Sequence, residues 1–411
     1  MKEIKPGYKE TPIGILPRDW EVKKLDEVTS RGSGHTPNKK NEEYYNGDIK
    51  WISLSDSFRL DKGLIYDTNM NITELGIKNS SAVLHPKGTV LMSRDAGVGK
   101  SAIMNEAMCV SQHFITWTCE KQVYNNWFLY YLLQYNKKEF ERIAVGSTIK
   151  TIGLPYFKSY LVPVPKIEEQ EKIAQILMTW DEAIEKQEEL IEQEKEFKKG
   201  MMQKIFNLEL RFKNENGNDY PEWDEKKLED LFEYQNGGSF EAFISENGDY
   251  DLITLNSIDI KGNLKTKHKK ISITDNSLKK NDLIMVLSDV AHGNFLGLTA
   301  IIPEDNRYVL NQRMGALKKK DIINVFFTRY WINYNQSYFK LHGQGSSQLN
   351  LSKGDILNFK LILPILQEQE KIADFLSTID EKIEILEKKL EELKEQKKGL
   401  MQKLLTGEVR V

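Results

Sequence analysis

Cysteine is nearly absent from this sequence of 411 residues, since only Cys109 and Cys119 occur. The two positions lack metal-ligand spacing and have no histidine cluster beside them, and the six histidines are scattered along the chain. The sequence therefore predicts no metal site. We expect both cysteines to be buried free thiols in a reducing compartment.

Long apolar runs are absent as well. No segment approaches the roughly 18 apolar residues of a membrane helix, and the first residues, MKEIKPGY, lack the apolar core of a signal peptide. We therefore expect a cytoplasmic protein with no membrane partner. A composition of 40% hydrophobic and 29% charged residues is ordinary for a chain of two or three domains.

The net charge is only −3, which by itself argues against a nucleic-acid partner. The distribution of charge along the chain changes that interpretation. Residues 1–167 contain 23 Lys and Arg against 18 Asp and Glu, whereas residues 168–206 contain 6 against 11 and residues 367–411 contain 9 against 11. The acidic surplus therefore lies mainly in two segments.

These two acidic segments are copies of one another. QEKIAQILMTWDEAIEKQEELIEQEKEFKKGMMQK (170–204) and QEKIADFLSTIDEKIEILEKKLEELKEQKKGLMQK (369–403) are identical at 21 of 35 positions without a gap. The start of the repeat is preserved too, because DWEVKKLDEV (19–28) is similar to EWDEKKLEDL (222–231). The internal repeat predicts the order domain, helix, domain, helix, with boundaries 1–166, 167–206, 207–365 and 366–411.

Both copies carry the heptad spacing of a coiled coil. Its seam comprises Ile173, Leu177, Trp180, Ile184 and Ile191 in the first copy, and Ile372, Leu376, Ile379, Ile383, Leu386, Leu390 and Leu393 in the second. The two seams have equal length, since Gln187 and Glu194 occupy the remaining two seam positions of the first copy. This predicts that the helices pair with one another, and because each helix follows its own domain we expect antiparallel pairing with a pseudo-twofold relation. Gly200 and Gly399 follow Lys-Lys pairs, as is typical of helix ends.

The two domains lack strong helical periodicity, which predicts mixed α and β structure. Short strands are predicted at 49–54, 90–92, 252–255 and 283–287. One amphipathic helix is predicted in each domain, at 126–141 and 325–341, and we expect its many aromatic side chains to fill the core. The predicted class is α+β: two similar mixed α/β domains separated by two long helices.

The layout resembles the specificity subunit of type I restriction–modification systems. The similarity rests on the duplicated QEKIA helices, on PIGILPRDWEVKKLDEV (12–28) and on SGHTPNKKNEEYYNGDIKWISLSD (33–56). The resemblance implies two target recognition domains, each of which reads one half of a split double-stranded DNA sequence. It implies that the helices form an antiparallel coiled coil that fixes the spacer between the half-sites.

The resemblance also implies that this chain has no catalytic activity. Such a subunit positions two methyltransferase subunits and, in the full complex, restriction/translocase subunits. We therefore expect no cofactor on this chain, and we expect S-adenosylmethionine, ATP and Mg²⁺ on those partners. Independently of the resemblance, two similar domains on a long helical rod suit two half-sites on one duplex, because B-DNA presents the same groove about every 34 Å.

Polar and basic loop residues are the candidate DNA contacts, because lysine suits phosphates, arginine suits guanine, and glutamine or asparagine suits adenine. In the first domain they are Arg31, His35, Thr36, Asn38, Lys39, Lys40, Ser55, Arg59, Arg94, Lys100, Ser147, Thr148 and Lys150. In the second they are Lys261, Lys265, Lys267, His268, Lys269, Lys270, His292, Asn294, Gln312, Arg313, Ser346, Ser347 and Gln348.

One stretch, RDAGVGKS (94–101), is similar to a phosphate-binding loop and would indicate a nucleotide hydrolase. That loop requires glycine where Arg94 stands, and it must open a helix. In the second domain Leu298 corresponds to Lys100, and the surrounding pattern predicts strand, turn, strand. We therefore expect a strand from Ser101, with Arg94 and Lys100 as candidate contacts to the DNA backbone.

A third class of protein is a coiled-coil scaffold without DNA recognition. It would explain the long helices but would leave two domains with basic loops without a role. DNA recognition and assembly is the interpretation that accounts for the whole chain.

Overall fold

Two helices of 40 residues each are the longest elements of the computed structural model: the first central helix, Ile167–Phe206, and the second central helix, Leu366–Leu405. The structure describes residues 4–147, 149–275, 278–290 and 293–411. The chain divides into two units. Unit 1 is the chain up to Glu189 together with Lys388–Val411, and unit 2 is Leu190–Glu387, so that each unit contains part of both central helices.

Unit 1 is built around a five-stranded sheet of order β4-β11-β8-β9-β6, beside a three-stranded sheet of order β10-β5-β7. Its strands are β1 (Tyr8–Thr11), β2 (Gly14–Pro17), β3 (Glu21–Lys24), β4 (Thr29–Ser33), β5 (Tyr45–Ile52), β6 (Leu64–Ile65), β7 (Asn71–Ile72), β8 (Val90–Ser93), β9 (Ser101–Met104), β10 (Cys109–Val110), β11 (Phe114–Cys119) and β12 (Leu161–Val164). Its shorter helices are α1 (Glu74–Lys78), α2 (Asn126–Tyr135), α3 (Lys137–Ile143) and α4 (Leu154–Lys158).

Unit 2 has the same plan, with a four-stranded sheet of order β14-β21-β17-β19 beside a three-stranded sheet of order β16-β15-β20. Its strands are β13 (Asp224–Lys227), β14 (Phe232–Asn236), β15 (Tyr250–Ile253), β16 (Lys269–Ile271), β17 (Leu283–Val286), β18 (Ser288–Val290), β19 (Thr299–Ile301), β20 (Tyr308–Leu310), β21 (Met314–Lys319), β22 (Gln348–Asn350) and β23 (Lys360–Leu363). Its shorter helices are α5 (Leu228–Leu231), α6 (Val325–Tyr334), α7 (Gln336–His342) and α8 (Lys353–Leu357).

The aromatic-rich helix predicted in each domain is two helices in the structure. The prediction of single helices at 126–141 and 325–341 is wrong because an asparagine interrupts each one. Asn136 separates α2 from α3, and its side-chain amide donates to the carbonyl of Leu132 at 3.0 Å, which satisfies an acceptor at the end of α2. Asn335 does the same to Trp331 at 2.9 Å. Most of the aromatic side chains fill the cores, as predicted, whereas Phe326 and Tyr334 are exposed.

The core of each unit continues from the sheet into the central helices. In unit 1, Trp117 and Phe128 share a core with Ile173 and Leu177 of the first central helix and with Leu404 of the second. In unit 2, the core around α6 includes residues of both helices in the same way: Ile205, Phe206, Ile372 and Leu376. Each domain is therefore held to both helices by buried apolar surface, which is the dominant favourable term in folding.

The central helices do not end at Gly200 or Gly399, and that prediction is wrong. Both glycines lie inside helix, with no atom within 4 Å of an added Cβ. The apolar residues that follow them, such as Ile205 and Leu404, are almost completely buried. Burial of the last turn therefore outweighs the cost of a helical glycine, about 1 kcal/mol.

The twelve seam residues all lie on buried or half-buried positions. Ile173, Leu177, Ile191, Ile372, Leu376, Ile379 and Ile383 are buried, and Trp180, Ile184, Leu386, Leu390 and Leu393 are half-buried. Ion pairs connect the two helices within each unit. In unit 1, Glu188 accepts from Lys394 at 2.6 Å, and in unit 2, Glu194 accepts from Lys382 at 2.5 Å.

Candidate nucleic-acid interface

The loops with most of the candidate residues of unit 1 lie at one end of its five-stranded sheet. Neighbouring strands are antiparallel here, so β4 and β8 end, and β9 and β11 begin, at this same end. The loops 34–41, 94–100 and 111–113 therefore start or finish there. We call this the polar end of unit 1.

Side-chain contacts bring three of these loops together. Thr36 Oγ1 donates to Gln112 Oε1 at 2.5 Å, and Arg94 Nε donates to the carbonyl of Gln112 at 3.3 Å. Thr151 Oγ1 donates to the carbonyl of Arg94 at 3.2 Å, which places residues 145–147 and 149–151, with Ser147 and Lys150 among them, at the same end. His113 Nδ1 lies 3.0 Å from Asp95 Oδ2. Thr36, Arg94, Ser147 and Lys150 thus lie at the same end, whereas Thr148 lies outside the described residues.

The loop 55–61 also reaches this end. Lys100 Nζ donates to the carbonyl of Ser57 at 3.2 Å, and Arg59 is held by Asn69 Oδ1 at 3.0 Å while its guanidinium lies over the exposed ring of Phe58. Lys100 and Lys150 line an open cavity of about 490 Å³ together with Lys137. Glu141 lies on the same wall, and Lys137 Nζ pairs with Asp61 Oδ2 at 2.6 Å, so the positive charge of the three lysines is partly neutralised.

The stretch 94–101 is a turn between two antiparallel strands, β8 and β9, as predicted. Ala96, Gly97 and Gly99 have positive φ angles of 46°, 105° and 85°. Ser101 begins a strand, so the loop does not open a helix, and the geometry of a phosphate-binding loop of nucleotide hydrolases is not formed here.

The remaining candidates of unit 1 lie in three places. His35, Asn38, Lys39 and Lys40 are exposed on the 34–41 loop. Arg31 instead lies within β4, where its guanidinium is 3.4 Å from Asp26 Oδ2 and its side chain is mostly covered. Ser55 lies on the loop 55–61, where its hydroxyl contacts that of Ser53 at 2.8 Å.

A close backbone approach shapes the polar end in both units. A Cβ on Gly34 would lie 1.7 Å from the carbonyl oxygen of Val110, and a Cβ on Gly237 would lie 2.0 Å from that of Asn311. Since real Cβ atoms do not approach this closely, both positions require glycine. The two glycines follow equivalent strands, β4 and β14, so the same loop crossing is built twice.

Unit 2 has an equivalent polar end, with the turn 311–313 at its centre. Gln312 Nε2 donates to Glu241 Oε2 at 2.7 Å, and exposed Arg313 has a φ angle of 70°. Nearby in the fold, Gln348 Nε2 donates to Ser288 Oγ at 2.5 Å. Ser346, Ser347 and Asn294 are exposed on the adjoining loops, and His292 lies outside the described residues.

Gln112 was missed by the sequence analysis although its equivalent, Gln312, was selected. SQHF (111–114) and NQRM (311–314) are 200 residues apart and occupy the same turn before β11 and β21. Alignment of the two domains over these four residues could have found it. The short match is easily overlooked because only the glutamine is identical.

The basic stretch 261–270 is not gathered with the other candidates of unit 2. Lys261 Nζ pairs with Glu387 of the second central helix at 2.8 Å, and Lys270 Nζ pairs with Asp251 at 2.9 Å. His268 is half-buried against Tyr308, and desolvation lowers its pKa. Lys265, Lys267 and Lys269 are exposed. Part of this basic charge is therefore neutralised by ion pairs within unit 2.

A repeated Tyr–Asp–Lys contact joins each domain to both central helices. In unit 1, Tyr131 Oη donates to Asp181 Oδ2 at 2.7 Å, and Asp181 also accepts from Lys397. In unit 2, Tyr330 Oη donates to Asp380 Oδ2 at 2.6 Å, and Asp380 Oδ1 lies 2.6 Å from Lys198 Nζ. Burial raises the pKa of Tyr330 to about 12. The three residues of one contact lie 199 positions from those of the other.

A second repeated contact holds the chain that follows each helix. Arg410 donates to Glu169 at 2.6 Å and to Asp19 at 2.7 Å, and Trp20 Nε1 donates to Glu169 at 3.0 Å. In unit 2, Arg211 donates to Glu368 at 2.7 Å, and Trp223 Nε1 donates to the same carboxylate at 3.1 Å. Arg211 and Arg410 are 199 positions apart. These contacts secure the start of each domain.

Within residues 4–147, 149–275, 278–290 and 293–411, no helix has both the length and the apolar character needed to cross a membrane. In that same part of the chain, no three His, Cys, Asp or Glu side chains are grouped so that they could hold a metal ion.

Comparison with known proteins identifies the family. The family profile described as "Type I restriction modification DNA specificity domain" matches residues 17–193 and again residues 220–395. The chain therefore belongs to this family, and it carries two copies of the domain.

Similar proteins extend over nearly the whole chain. The MjaIX type I restriction enzyme specificity subunit of Methanocaldococcus jannaschii is 27% identical over 98% of this chain and 96% of its own length. Among solved structures, the type I restriction–modification S subunit of M. genitalium has a TM-score of 0.57 at 18% identity, over 94% of this chain and 96% of its own. A chain from a type I R-M complex has a TM-score of 0.61 at 16% identity, over 96% and 99%. The structural likeness shows that the fold is shared.

Proposed function

We propose that this chain is the DNA-recognition subunit of a type I restriction–modification complex, and that each unit reads one half of a bipartite target. The observation that carries the proposal is the duplicated polar end, in a chain whose family profile also matches twice. In both units a glycine in close contact with a neighbouring carbonyl oxygen, Gly34 or Gly237, and a turn that carries a glutamine, Gln112 or Gln312, lie at the same end of the sheet. Two similar reading surfaces suit a target with two half-sites.

The central helices form an antiparallel coiled coil in this proposal, and the pair sets the spacer between the half-sites. The ion pairs within the units support it. In unit 1, Asp181 contacts Lys397 and Glu188 contacts Lys394, so residue numbers rise along one helix as they fall along the other. The two Tyr–Asp–Lys contacts, 199 positions apart, support a pseudo-twofold relation.

The chain itself is non-catalytic in this proposal and acts in the cytoplasm. Its partners are double-stranded DNA, two methyltransferase subunits and, in the full complex, restriction/translocase subunits. S-adenosylmethionine, ATP and Mg²⁺ belong to those partners. The exposed acidic faces of the central helices, which carry residues such as Glu185 and Glu392, are available for docking of protein subunits.

A helix-length series tests this function. Four residues inserted at equivalent positions of both central helices lengthen each helix by about 6 Å, which approaches the axial rise of two base pairs, because B-DNA rises about 3.4 Å per pair. We expect methylation mapping, after co-expression with the cognate methyltransferase subunit, to show a longer spacer with both half-sites unchanged. Altered half-sites with an unchanged spacer would contradict the proposal.

A salt series distinguishes the proposal from a scaffold without DNA recognition. We expect the affinity of the assembled methyltransferase complex for its target duplex to fall linearly on a logarithmic salt scale, since phosphate contacts release counterions. A scaffold would show no salt-dependent duplex binding even with the methyltransferase subunits present.

A further inference from the structure

We infer that Gln312 recognises adenine in the half-site read by unit 2, and that Glu241 is the residue that orients the Gln312 amide for this contact. The inference rests on the proposed function and deepens it by assigning a base to a side chain. Gln312 is exposed on the turn between β20 and β21, whereas its neighbour Asn311 is 2% exposed. The turn therefore presents the glutamine outward from an anchored position.

Glu241 fixes which atoms of the glutamine remain for a ligand. Gln312 Nε2 donates to Glu241 Oε2 at 2.7 Å, and Asn311 Nδ2 donates to Glu241 Oε1 at 2.9 Å. An ionised carboxylate only accepts hydrogen bonds, so the amide oxygen of Gln312 cannot take the place of its nitrogen. The Gln312 amide is left with Oε1 as an acceptor and with one N–H as a donor.

This pair of groups matches one base edge in the major groove. Adenine presents its N6 amino group as a donor beside N7 as an acceptor, and a glutamine amide bonds both at once. Guanine presents two acceptors, O6 and N7, so Gln312 Oε1 would face O6 with no proton between them. Cytosine and thymine each offer a single polar group in this groove. A fixed Gln312 amide therefore favours adenine.

Glu241 acts as a positioning residue. A carboxylate close to DNA is repelled by phosphates, but both oxygens of Glu241 already accept from amide groups of the turn. Arg313, which is exposed and follows Gln312 along the chain, adds a positive charge to the turn. The turn thus presents the cation of Arg313 to the DNA backbone and the neutral amide of Gln312 to the base edge.

Unit 1 offers a matched comparison on the equivalent turn. Gln112 Oε1 accepts from the hydroxyl of Thr36. Because a hydroxyl can both donate and accept, this contact does not force one orientation of the Gln112 amide. Gln112→Ala is therefore the control variant, since it alters the same turn in the other unit.

The test is methylation mapping of cells that express the full chain with its cognate methyltransferase subunit. For Gln312→Ala we expect the preference for adenine at one position of the second half-site to fall about 5- to 150-fold, as for loss of one bidentate base contact. For Glu241→Gln we expect guanine to become accepted at that same position, because the released amide can turn its NH₂ group toward O6 and N7. For Gln112→Ala we expect the second half-site to stay as in the wild type.

Three results would overturn the inference. If the wild type modifies a bipartite target and neither unit 2 variant changes the second half-site, Gln312 does not read a base and the proposed function stands. If both variants lower methylation at every site equally, the two residues only support the fold. If the wild type modifies no bipartite target, the proposed function fails and the inference fails with it.

Discussion

The Tyr–Asp–Lys contact of unit 1 gives a sharp stability prediction. Asp181→Ala removes the acceptor of Tyr131 Oη and the partner of Lys397. Tyr131 is completely buried, so its hydroxyl is left without its acceptor, at a cost of about 1–3 kcal/mol. The Asp181 side chain is 44% exposed, which lets water replace part of the contact. We therefore expect a loss of about 2 kcal/mol in the free energy of unfolding.

The measurement is urea denaturation of the full chain, with Tyr131→Phe and the double variant completing a mutant cycle. Because Asp181→Ala and Tyr131→Phe each remove the same hydrogen bond, we expect their losses of unfolding free energy not to add, with a coupling energy of at least about 1 kcal/mol. Lys394→Ala is the matched control. It also breaks an ion pair between the central helices, but one in which both side chains are about half exposed, at 46% and 50%, and we expect it to cost less than about 0.5 kcal/mol.

Two results would refute the reasoning. Additive costs for Asp181→Ala and Tyr131→Phe would mean that the two side chains stabilise unit 1 independently of one another. Equal costs for Asp181→Ala and Lys394→Ala would mean that the buried hydroxyl contributes no more than an exposed ion pair.

Three further predictions address other contacts. Burial alone would raise the pKa of Asp251, but hydrogen bonds from Lys270 and Arg307 lower it below its ordinary value of 3.8. The stabilisation that ionised Asp251 contributes is present above pH 3.8 and is lost as the pH falls through its folded-state pKa. Acid unfolding, followed by tryptophan fluorescence, should therefore begin at a higher pH in Lys270→Ala than in the wild type. An unchanged acid-unfolding profile would contradict this. Arg211→Ala leaves the fully buried carboxylate of Glu368 without its cation, and we expect calorimetry to show a loss of about 2–4 kcal/mol in the free energy of unfolding. A loss below about 0.5 kcal/mol would show that the hydrogen bond from the Trp223 indole is enough to stabilise Glu368. Gly237→Ala forces a Cβ to within 2.0 Å of the carbonyl oxygen of Asn311, so the affinity for duplex DNA should fall at least tenfold, a change of about 1.4 kcal/mol. Wild-type affinity in this variant would show that the close approach of the two loops is not needed for binding.

The repeat and the heptad pattern were sufficient to predict the long helices, because both are periodic signals that depend on local sequence. The helix ends were not predictable in the same way. Glycine and lysine near Gly200 and Gly399 favour an end there, but burial of Ile205 and Leu404 extends both helices. The break at Asn136 has the opposite origin, since a side-chain hydrogen bond competes with an otherwise continuous apolar pattern.

The candidate site was predictable by residue type but not by partner. Composition identified Lys261 and Lys270 as available cations, yet Glu387 and Asp251, which pair with them, are distant in sequence. In the same way, nothing in the local sequence around Gln312 indicates that Glu241, 71 residues earlier, fixes its amide. Such partners are set by tertiary contacts, such as the bridge between Gly238 and Asn311 that brings the chain after β14 against the chain after β20.

Recognition of a split DNA target is the central claim, and methylation mapping of the wild-type chain with its cognate methyltransferase subunit tests it most directly. We expect one gapped motif, with two specific half-sites separated by a spacer of fixed length and no sequence preference. A continuous motif, or methylation that does not depend on this chain, would contradict the account.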